Sequence, residues 1–416
     1  MIDESLRYWA PGGSIMPGGP STWHIVDWDQ RRTIAVTMDE EQEDESISIE
    51  HSKKYINNLG PDVYAIHLSP DGSLVSTSTD PKDDATFSMY YPPFEKVRWP
   101  IKTSGVLRSE LLELKRLGAN VDLVSYTPKS KKGSPPASPK KVVFKYYFHS
   151  QFTYGFWNEM NLWMRLSGDR NIVPFDNIVL DEIKRGVVRF TSTFIPGDTV
   201  QTNMSRGFKL EWLRQLTRDI AARNLLVHPK TDNLLLFDFN FSGRLGEFDG
   251  MKAENDIKGV VFTLYEIITC DYKPREVPPQ EQDPEVLQRL DEWVKHPDVT
   301  LDHPVSEYRS VLNEWAKKRQ ERKQIARFDE ASDPISRPKI PDPPPTEANS
   351  VGSSQMERVW TNSRYGRGTD PKVIDWERPL WVKLEPESRV FANGEVKIAS
   401  DLQLDEQQLS ECIGHP

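Results

Sequence analysis

Short runs of alternating apolar and polar residues dominate the first hundred positions of the chain. Trp23 to Trp28 and Thr33 to Met38 are two such runs, and the four polar residues between them predict the turn of a β-hairpin. Val63 to Leu68 alternates in the same way and is followed by a Ser-Pro-Asp-Gly turn sequence. We therefore expect residues 1–100 to form a β-rich accessory region.

Strand and helix patterns alternate in the middle of the chain. Val142 to Tyr147 predicts a short apolar strand with Lys145 in its middle. Phe156 to Met164 has the spacing of an amphipathic helix, and this helix carries Glu159. If the helix faces the strand, the Glu159 carboxylate would pair with the Lys145 ammonium and hold it in place.

Three oxygen-bearing side chains flank a second predicted hairpin. Leu225 to Val227 and Leu234 to Phe237 are its strands, with a polar turn between them. Asp219 and Asn224 precede this hairpin, and Asp238 follows it. The hairpin thus carries carboxylate and amide oxygens, which are ligands that Mg²⁺ prefers, at its two ends.

Helices and then a tail are predicted for the last third of the chain. Asp283 is followed by Pro and Glu, as at a capped helix start. Another helix begins near Pro304, and its apolar face carries, at spacings of three and four, Tyr308, Val311, Leu312 and Trp315. Residues from about 331 to 370 are rich in Pro, Ser and Asp, so we expect a mostly disordered tail over residues 331–416. Within it, Ile374 to Trp376 and Trp381 to Leu384 are apolar enough to dock on a partner surface that the sequence does not identify.

Composition narrows the classes of protein that the chain can belong to. The two cysteines among 416 residues exclude a disulfide framework and favour a reducing compartment. No apolar stretch is long enough to span a bilayer, and the N-terminus is acidic where a secretory signal is basic. The net charge of -10 argues against a general nucleic-acid binder. We expect a soluble intracellular protein, cytoplasmic or nuclear, without a membrane partner.

Phosphoryl transfer needs few protein groups, and the chain has a candidate for each. A lysine must hold the nucleotide phosphates, two oxygen ligands must hold Mg²⁺, and a carboxylate must accept the proton of the incoming hydroxyl. The candidates are Lys145 for the phosphates, Asn224 and Asp238 for Mg²⁺, and Asp219 for the proton.

Together, these motifs resemble the protein-kinase-like superfamily in order and spacing. Val142 to Lys145 looks like the kinase strand whose lysine binds phosphates, and Glu159 looks like its partner on the following helix. Asp219 to Asn224 resembles the catalytic loop, and Asp238-Phe239-Asn240 stands where kinases carry Asp-Phe-Gly. Asn255 to Thr269 is similar to the long buried helix of the kinase C-lobe.

The resemblance covers roughly residues 105–275 and implies a fold and a ligand. It implies an α+β, two-lobed domain over residues 101–330, with a small, mostly β N-lobe and a helical C-lobe. ATP and Mg²⁺ would bind between the lobes. The hinge would lie at Phe194-Ile195-Pro196-Gly197, with Phe194 and Pro196 against the nucleotide, and Asp256 would brace the catalytic loop.

Three departures from the kinase pattern bear on activity. The glycine-rich loop is reduced to Leu117 to Val121, which contains a single glycine, although close approach to phosphates needs several. Asn255 follows Asn240 by only 15 positions, which leaves no room for an ordinary activation segment. The helix over Lys209 to Thr217 runs straight into the catalytic loop without the second long helix of kinases, so we expect a poorly packed or inactive C-lobe.

Three functions therefore stay open. The first is a serine/threonine-type protein kinase that moves the γ-phosphate of ATP to a protein hydroxyl. The second is a kinase of the aminoglycoside or choline type, in which the acceptor is a small molecule. The third is a pseudokinase that serves as a binding or scaffold module. Retention of the lysine, the two aspartates and the asparagine favours catalysis, whereas the missing glycines favour the binding module.

Overall fold

A computed structural model of the chain describes residues 2–130, 133, 135, 137–149, 153–197, 199–200, 207–216, 225–239, 256–321, 327–330, 332, 334–335, 338–341, 361–363, 374–380 and 383–398. These residues adopt a mixed α+β fold, which confirms the predicted class in this coarse sense. They fall into two compact units. Unit 1 comprises Met1–Tyr154, Asp176–Phe194 and Lys339–Pro416, and unit 2 comprises Gly155–Phe175 and Ile195–Pro338.

The described part of unit 1 is mostly β. Its helices are α1 (Glu4–Arg7) and α2 (Glu45–Ile56). Its strands are β1 (Tyr8–Trp9), β2 (Gly13–Ile15), β3 (Ser21–Asp27), β4 (Arg32–Met38), β5 (Ala65–Leu68), β6 (Leu74–Ser78), β7 (Phe87–Met89), β8 (Gly105–Leu107), β9 (Leu112–Gly118), β10 (Val121–Tyr126), β11 (Lys140–Lys145), β12 (Phe175–Leu180), β13 (Val187–Thr193), β16 (Thr361–Ser363), β17 (Ser388–Val390) and β18 (Val396–Ile398).

The described part of unit 2 is mostly helical. Its elements are α3 (Thr153–Leu166), α4 (Leu210–Leu216), β14 (Leu225–Val227), β15 (Leu234–Leu236), α5 (Asp256–Thr269), α6 (Pro284–Arg289) and α7 (Val305–Glu321). The Asp283 side chain accepts the Glu285 N–H at 2.8 Å, which confirms the predicted cap of α6. Tyr308 and Leu312 of α7 are buried, as the apolar spacing predicts. No helix within the described ranges is both long and apolar enough to cross a bilayer.

A first sheet in unit 1 is built from the N-terminal strands in the order β1-β3-β4-β5-β6, with β2 also paired to β3. The predicted hairpin is confirmed, since β3 and β4 pair antiparallel from Ser21↔Met38 to Asp27↔Arg32. Parallel pairing of β4 with β5 places α2 as the crossover between them. The core of this sheet includes Ile25, Ile34, Val36, Met38, Ile56, Ile66 and Leu68.

A second sheet in unit 1 follows the order β8-β12-β13-β11-β10-β9. Strands β9, β10 and β11 are consecutive in sequence and pair antiparallel, with only short turns or a loop between them. Alternate residues of β10 and β11 enter one core cluster, which includes Val124, Tyr126, Val142 and Phe144. The other face of these strands is therefore turned away from that cluster.

Part of the segment that composition marks as a tail is packed into this same core. Ile374, Trp376 and Ala392 are buried members of the cluster. The Trp376 ring stacks on that of Tyr146, with centroids 5.4 Å apart and an interplanar angle of 17°. Its indole N–H donates to the Tyr91 hydroxyl at 2.9 Å. Two aromatic contacts of this kind anchor residues 374–380 firmly to unit 1.

Buried charges lie beside this core, on β9, β10 and two loops. The cluster consists of Asp29, Arg31, Glu113, Arg116, Asp122 and Arg378. Arg116 Nε lies 2.5 Å from the Asp122 carboxylate, and Arg378 lies 3.0 Å from that of Glu113. Because three guanidinium groups face three carboxylates, each buried charge has a counter-ion that offsets its desolvation.

Candidate functional site

Lys145 ends the third of three consecutive antiparallel strands in unit 1. It pairs with Val121 of β10 and with Phe190 of β13, so these three side chains share one face of the sheet. This is the face turned away from the aromatic core. Val143 and Leu123 lie on it as well and are half-buried, while the Lys145 side chain is buried. The lysine is thus bordered by apolar side chains on its own face of the sheet.

The turn that stands in place of a glycine-rich loop is short. β9 ends at Gly118 and β10 begins at Val121, which leaves only Ala119 and Asn120 between the strands. The Asn120 carbonyl accepts the N–H of Tyr146 at 3.0 Å, so the turn is tied to the end of β11. A Cβ added to Gly118 would meet no atom within 4 Å, and the space above this residue is therefore open.

Glu159 and the residue after Asp238 are joined directly in unit 2. Glu159 is fully buried on α3, and its carboxylate oxygen Oε1 accepts the backbone N–H of Phe239 at 3.2 Å. One helical turn further on, the Trp163 ring meets the Phe239 ring edge-on, with centroids 5.3 Å apart at 82°. Helix α3 and the Asp238-Phe239 turn therefore form one connected element.

Asp238 itself adopts a backbone conformation that is rare for residues other than glycine. Its φ is 65°, in the left-handed region, and its side chain is half-buried. Asp and Asn tolerate this region better than other side chains do. The turn redirects the chain after β15, so that Phe239 reaches α3.

Two polar residues outside the predicted site, Asn171 and Gln215, hold the strand that leads into this turn. The Asn171 side-chain amide donates to the Leu234 carbonyl at 2.9 Å, and Gln215 Oε1 of α4 accepts the Leu234 N–H at 2.9 Å. The Leu236 N–H in turn donates to the Asn171 carbonyl at 2.7 Å. Asn171 is buried and precedes the apolar residues Ile172 and Val173. A polar amide beside such an apolar run is the sequence feature that could have indicated a structural role for Asn171.

The predicted hinge coincides with the division between the units. β13 ends at Thr193, and the units divide between Phe194 and Ile195. Phe194 is half-buried and Pro196 is exposed. Gly197 has a φ of 110°, a conformation open to glycine but strained for other residues. Nucleotide contact by Phe194 and Pro196 stays a prediction.

The other predicted site residues divide between described and undescribed parts of the chain. Asp219 and Asn224 lie outside the described residues, as does Asn240. Asp256, for which the resemblance implies a bracing contact with the catalytic loop, accepts a hydrogen bond at 2.5 Å from Arg319 of α7. The pairing of Glu159 with Lys145 stays a prediction, since the Phe239 N–H is the partner observed for the carboxylate within unit 2.

Comparison of the chain with models of protein families and with curated protein sequences finds no match. The features that bear on function are the position of Lys145 in unit 1, the contacts of Glu159 and the Asp238-Phe239 turn in unit 2, and the sequence around them.

Proposed function

We propose that the chain is an ATP-binding, protein-kinase-like phosphotransferase that moves the γ-phosphate to a protein hydroxyl. The proposal rests above all on the hydrogen bond between the buried Glu159 carboxylate and the Phe239 N–H. In protein kinases a helix glutamate pairs with the phosphate-binding lysine, and the aspartate of the Asp-Phe-Gly motif holds Mg²⁺. Here the helix carboxylate is hydrogen-bonded to the residue directly after the candidate metal-binding aspartate. Burying a carboxylate costs free energy unless the group is paired or hydrogen-bonded, so a fully buried Glu159 favours a specific role for this side chain.

The position of Lys145 gives independent support. In protein kinases the phosphate-binding lysine lies on the third strand of the small lobe. Here Lys145 ends the third of three successive antiparallel strands, and α3 follows it in sequence. Val143, Leu123 and Val121 surround it on the same face and offer an apolar surface for a flat aromatic base.

The residues present fit Mg²⁺ and ATP in chemical type. A carboxylate at Asp238 and an amide oxygen at Asn224 are hard ligands of the kind that Mg²⁺ prefers, and the metal would neutralise charge on the phosphates. Lys145 would hold the phosphates by its ammonium group. Asp219 would orient the acceptor hydroxyl and take its proton as the oxygen attacks the γ-phosphorus.

A direct test measures Mg-ATP binding and phosphate transfer by the full chain. We expect Mg-ATP at millimolar concentration to raise the melting temperature, and labelled γ-phosphate to reach a protein acceptor. Asp219→Ala should lower the transfer rate by about 10²-fold or more. Asp238→Asn should remove the effect of Mg²⁺ on ATP binding.

Asp232→Asn is the matched control for Asp238→Asn. Asp232 belongs to the same hairpin and also has a positive φ, of 57°, but it is exposed and pairs with Lys209. Asn suits both backbone conformations, so each change removes a charge without adding strain. Equal effects of both changes would exclude Asp238 as the metal ligand. Failure of the unmodified chain to bind Mg-ATP would exclude the phosphotransferase.

The short turn between β9 and β10 favours one competing function, a catalytically impaired binding module. The turn consists of Ala119 and Asn120 and follows a single glycine, Gly118, so it offers few backbone N–H groups to the phosphates of a nucleotide. A module of this kind would keep the packing of α3 on the Asp238-Phe239 turn without transferring phosphate. Mg-ATP binding without any transfer, unchanged in Asp219→Ala, would support it.

A further inference from the structure

Strand β6 ends the first sheet of unit 1 within the part of the chain that the structure describes. It pairs on one side with β5 and is the last strand in the sheet order. Residues 73–77 are exposed, including Val75 at 56%. From Ser73 to Thr79 the sequence has neither a charged residue nor a proline. A strand of this kind offers its outer backbone groups to another extended chain.

The remaining described edges of the two large sheets carry the protections that natural proteins use against strand addition. β1, β2 and β8 are two or three residues long. β9 bears Lys115 and Arg116, and the tail covers its start through a bridge between Leu112 and Phe391. Short length, charge and cover all discourage pairing with a further strand. Within the described residues, β6 is longer than β1, β2 and β8 and carries no charge. It has a β-bulge where it pairs with His67 and Leu68, and the Tyr55 hydroxyl accepts the Leu74 N–H at 3.1 Å.

The ends of β6 are both acidic. Asp71 precedes the strand and Asp80 follows it, and both side chains are exposed. The Ser69 hydroxyl and the Ser73 N–H and hydroxyl donate to the Asp71 carboxylate and lower the pKa of that group to about 2. Asp80 caps the following turn by accepting the Lys82 N–H at 3.0 Å. A negative charge therefore stands at each end of an uncharged strand.

This charge pattern decides between two kinds of occupant. In a second copy paired antiparallel about Ser76, Asp71 of each copy would lie near Asp80 of the other, so like charges would meet at both ends of the contact. A peptide with basic residues on both sides of a strand-forming centre would instead meet an opposite charge at each end.

We propose that β6 is a docking strand for an extended peptide segment that has basic residues on both sides of a β-branched centre. The segment would pair with β6 by main-chain hydrogen bonds and extend the sheet by one strand. This binding surface lies apart from Lys145 and needs no nucleotide. It therefore goes beyond the proposed phosphotransferase and stands or falls independently of it.

The test titrates the full chain with a labelled synthetic peptide of the sequence Lys-Lys-Val-Thr-Val-Thr-Val-Lys-Lys. We expect saturable binding below about 1 mM peptide, with slowed amide exchange at residues 73–79. Ser76→Lys, which places a charge in the middle of the strand, should weaken binding by about tenfold or more. Replacing the four Lys residues of the peptide by Glu should weaken it by a similar factor.

Ser14→Lys is the matched control, because Ser14 is also exposed and lies on β2, a short edge strand of the same sheet. We expect it to bind the peptide as the unmodified chain does. The proposal is overturned by absence of binding, by equal binding to Ser76→Lys, or by exchange protection elsewhere. It is equally overturned if the chain dimerises without peptide and Ser76→Lys makes it monomeric, since the occupant would then be a second copy.

Discussion

Replacing Arg31 with Met tests whether the buried charge cluster holds unit 1 together. Arg31 is fully buried and donates hydrogen bonds to Glu113 at 2.5 Å, to Asp122 at 2.7 Å and to the Tyr146 hydroxyl at 3.0 Å. It also donates to the Ala392 carbonyl at 2.9 Å. Methionine has a similar length but no donor, so the substitution leaves these four acceptors without their Arg31 hydrogen bonds.

The expected loss of stability in Arg31→Met depends on which ion pairs of the cluster remain. Removing one partner of a buried ion pair typically costs about 3–5 kcal/mol, because a charge is left without compensation. Arg116 still pairs with Asp122 at 2.5 Å, and Arg378 still pairs with Glu113 at 3.0 Å. We therefore expect the lower end of this range, about 3 kcal/mol, as the loss in the free energy of unfolding of unit 1.

Urea unfolding followed by tryptophan fluorescence measures this loss, since Trp28 and Trp376 are buried in the core of unit 1. Arg289→Met is the matched control. Arg289 is largely exposed and pairs with Glu285 one helical turn away, so its removal should cost less than about 0.5 kcal/mol. A loss below about 1 kcal/mol for Arg31→Met would refute the claim that the buried carboxylates of Glu113 and Asp122 need the Arg31 guanidinium as a counter-ion.

Three further predictions concern stability. Trp376→Ala should destabilise unit 1 by about 3–5 kcal/mol in the same urea assay, because it removes the ring stacked on Tyr146; a loss under about 1 kcal/mol would mean that the tail is dispensable. Burial lowers the pKa of His149 from 6.5 to about 4, with a smaller contribution from His24, so the stability it contributes is fully present above pH 6.5 and falls as the pH drops toward 4. His149→Phe should remove about 3 kcal/mol of this pH dependence in urea titrations between pH 7 and 4, and an unchanged profile would contradict it. Asp283→Ala should cost about 1 kcal/mol through loss of the α6 cap, measured as a lower melting temperature, whereas Asp283→Ser should cost less.

Local patterns predict the elements that carry the candidate site. Alternation gives the hairpin of β3 and β4, and the spacing of apolar residues gives α3 with Glu159 on it. The hairpin of β14 and β15 before Asp238 is also confirmed. Each of these elements is determined by the spacing of apolar and polar residues within a short segment, and a single sequence shows this spacing directly.

The contacts between distant segments could not be predicted in the same way. Asp29 to Arg32 looks like a solvated turn, yet all four residues are buried. Asp29 and Arg31 are paired with charges on β9, β10 and Arg378, all far away in sequence. The partner found for Glu159 within unit 2 is a backbone N–H at Phe239, which has no side-chain signature. The apolar run at Ile374 to Trp376 indicates a docking segment, but nothing in the sequence shows that it packs on Tyr146 and Tyr91 of unit 1.

The packing of residues 374–392 against the N-terminal strands has a consequence for biosynthesis. Unit 1 needs Ile2 and Ala392 in one core, so its folding cannot be completed until residue 392 has left the ribosome. The segments of unit 2 all emerge earlier. Because bringing together segments so far apart in sequence is slow, the nascent chain exposes an unfinished core until residue 392 is available. We expect ribosome-bound intermediates to be sensitive to proteases in β9 to β11 and to depend on chaperones until residue 392 is released.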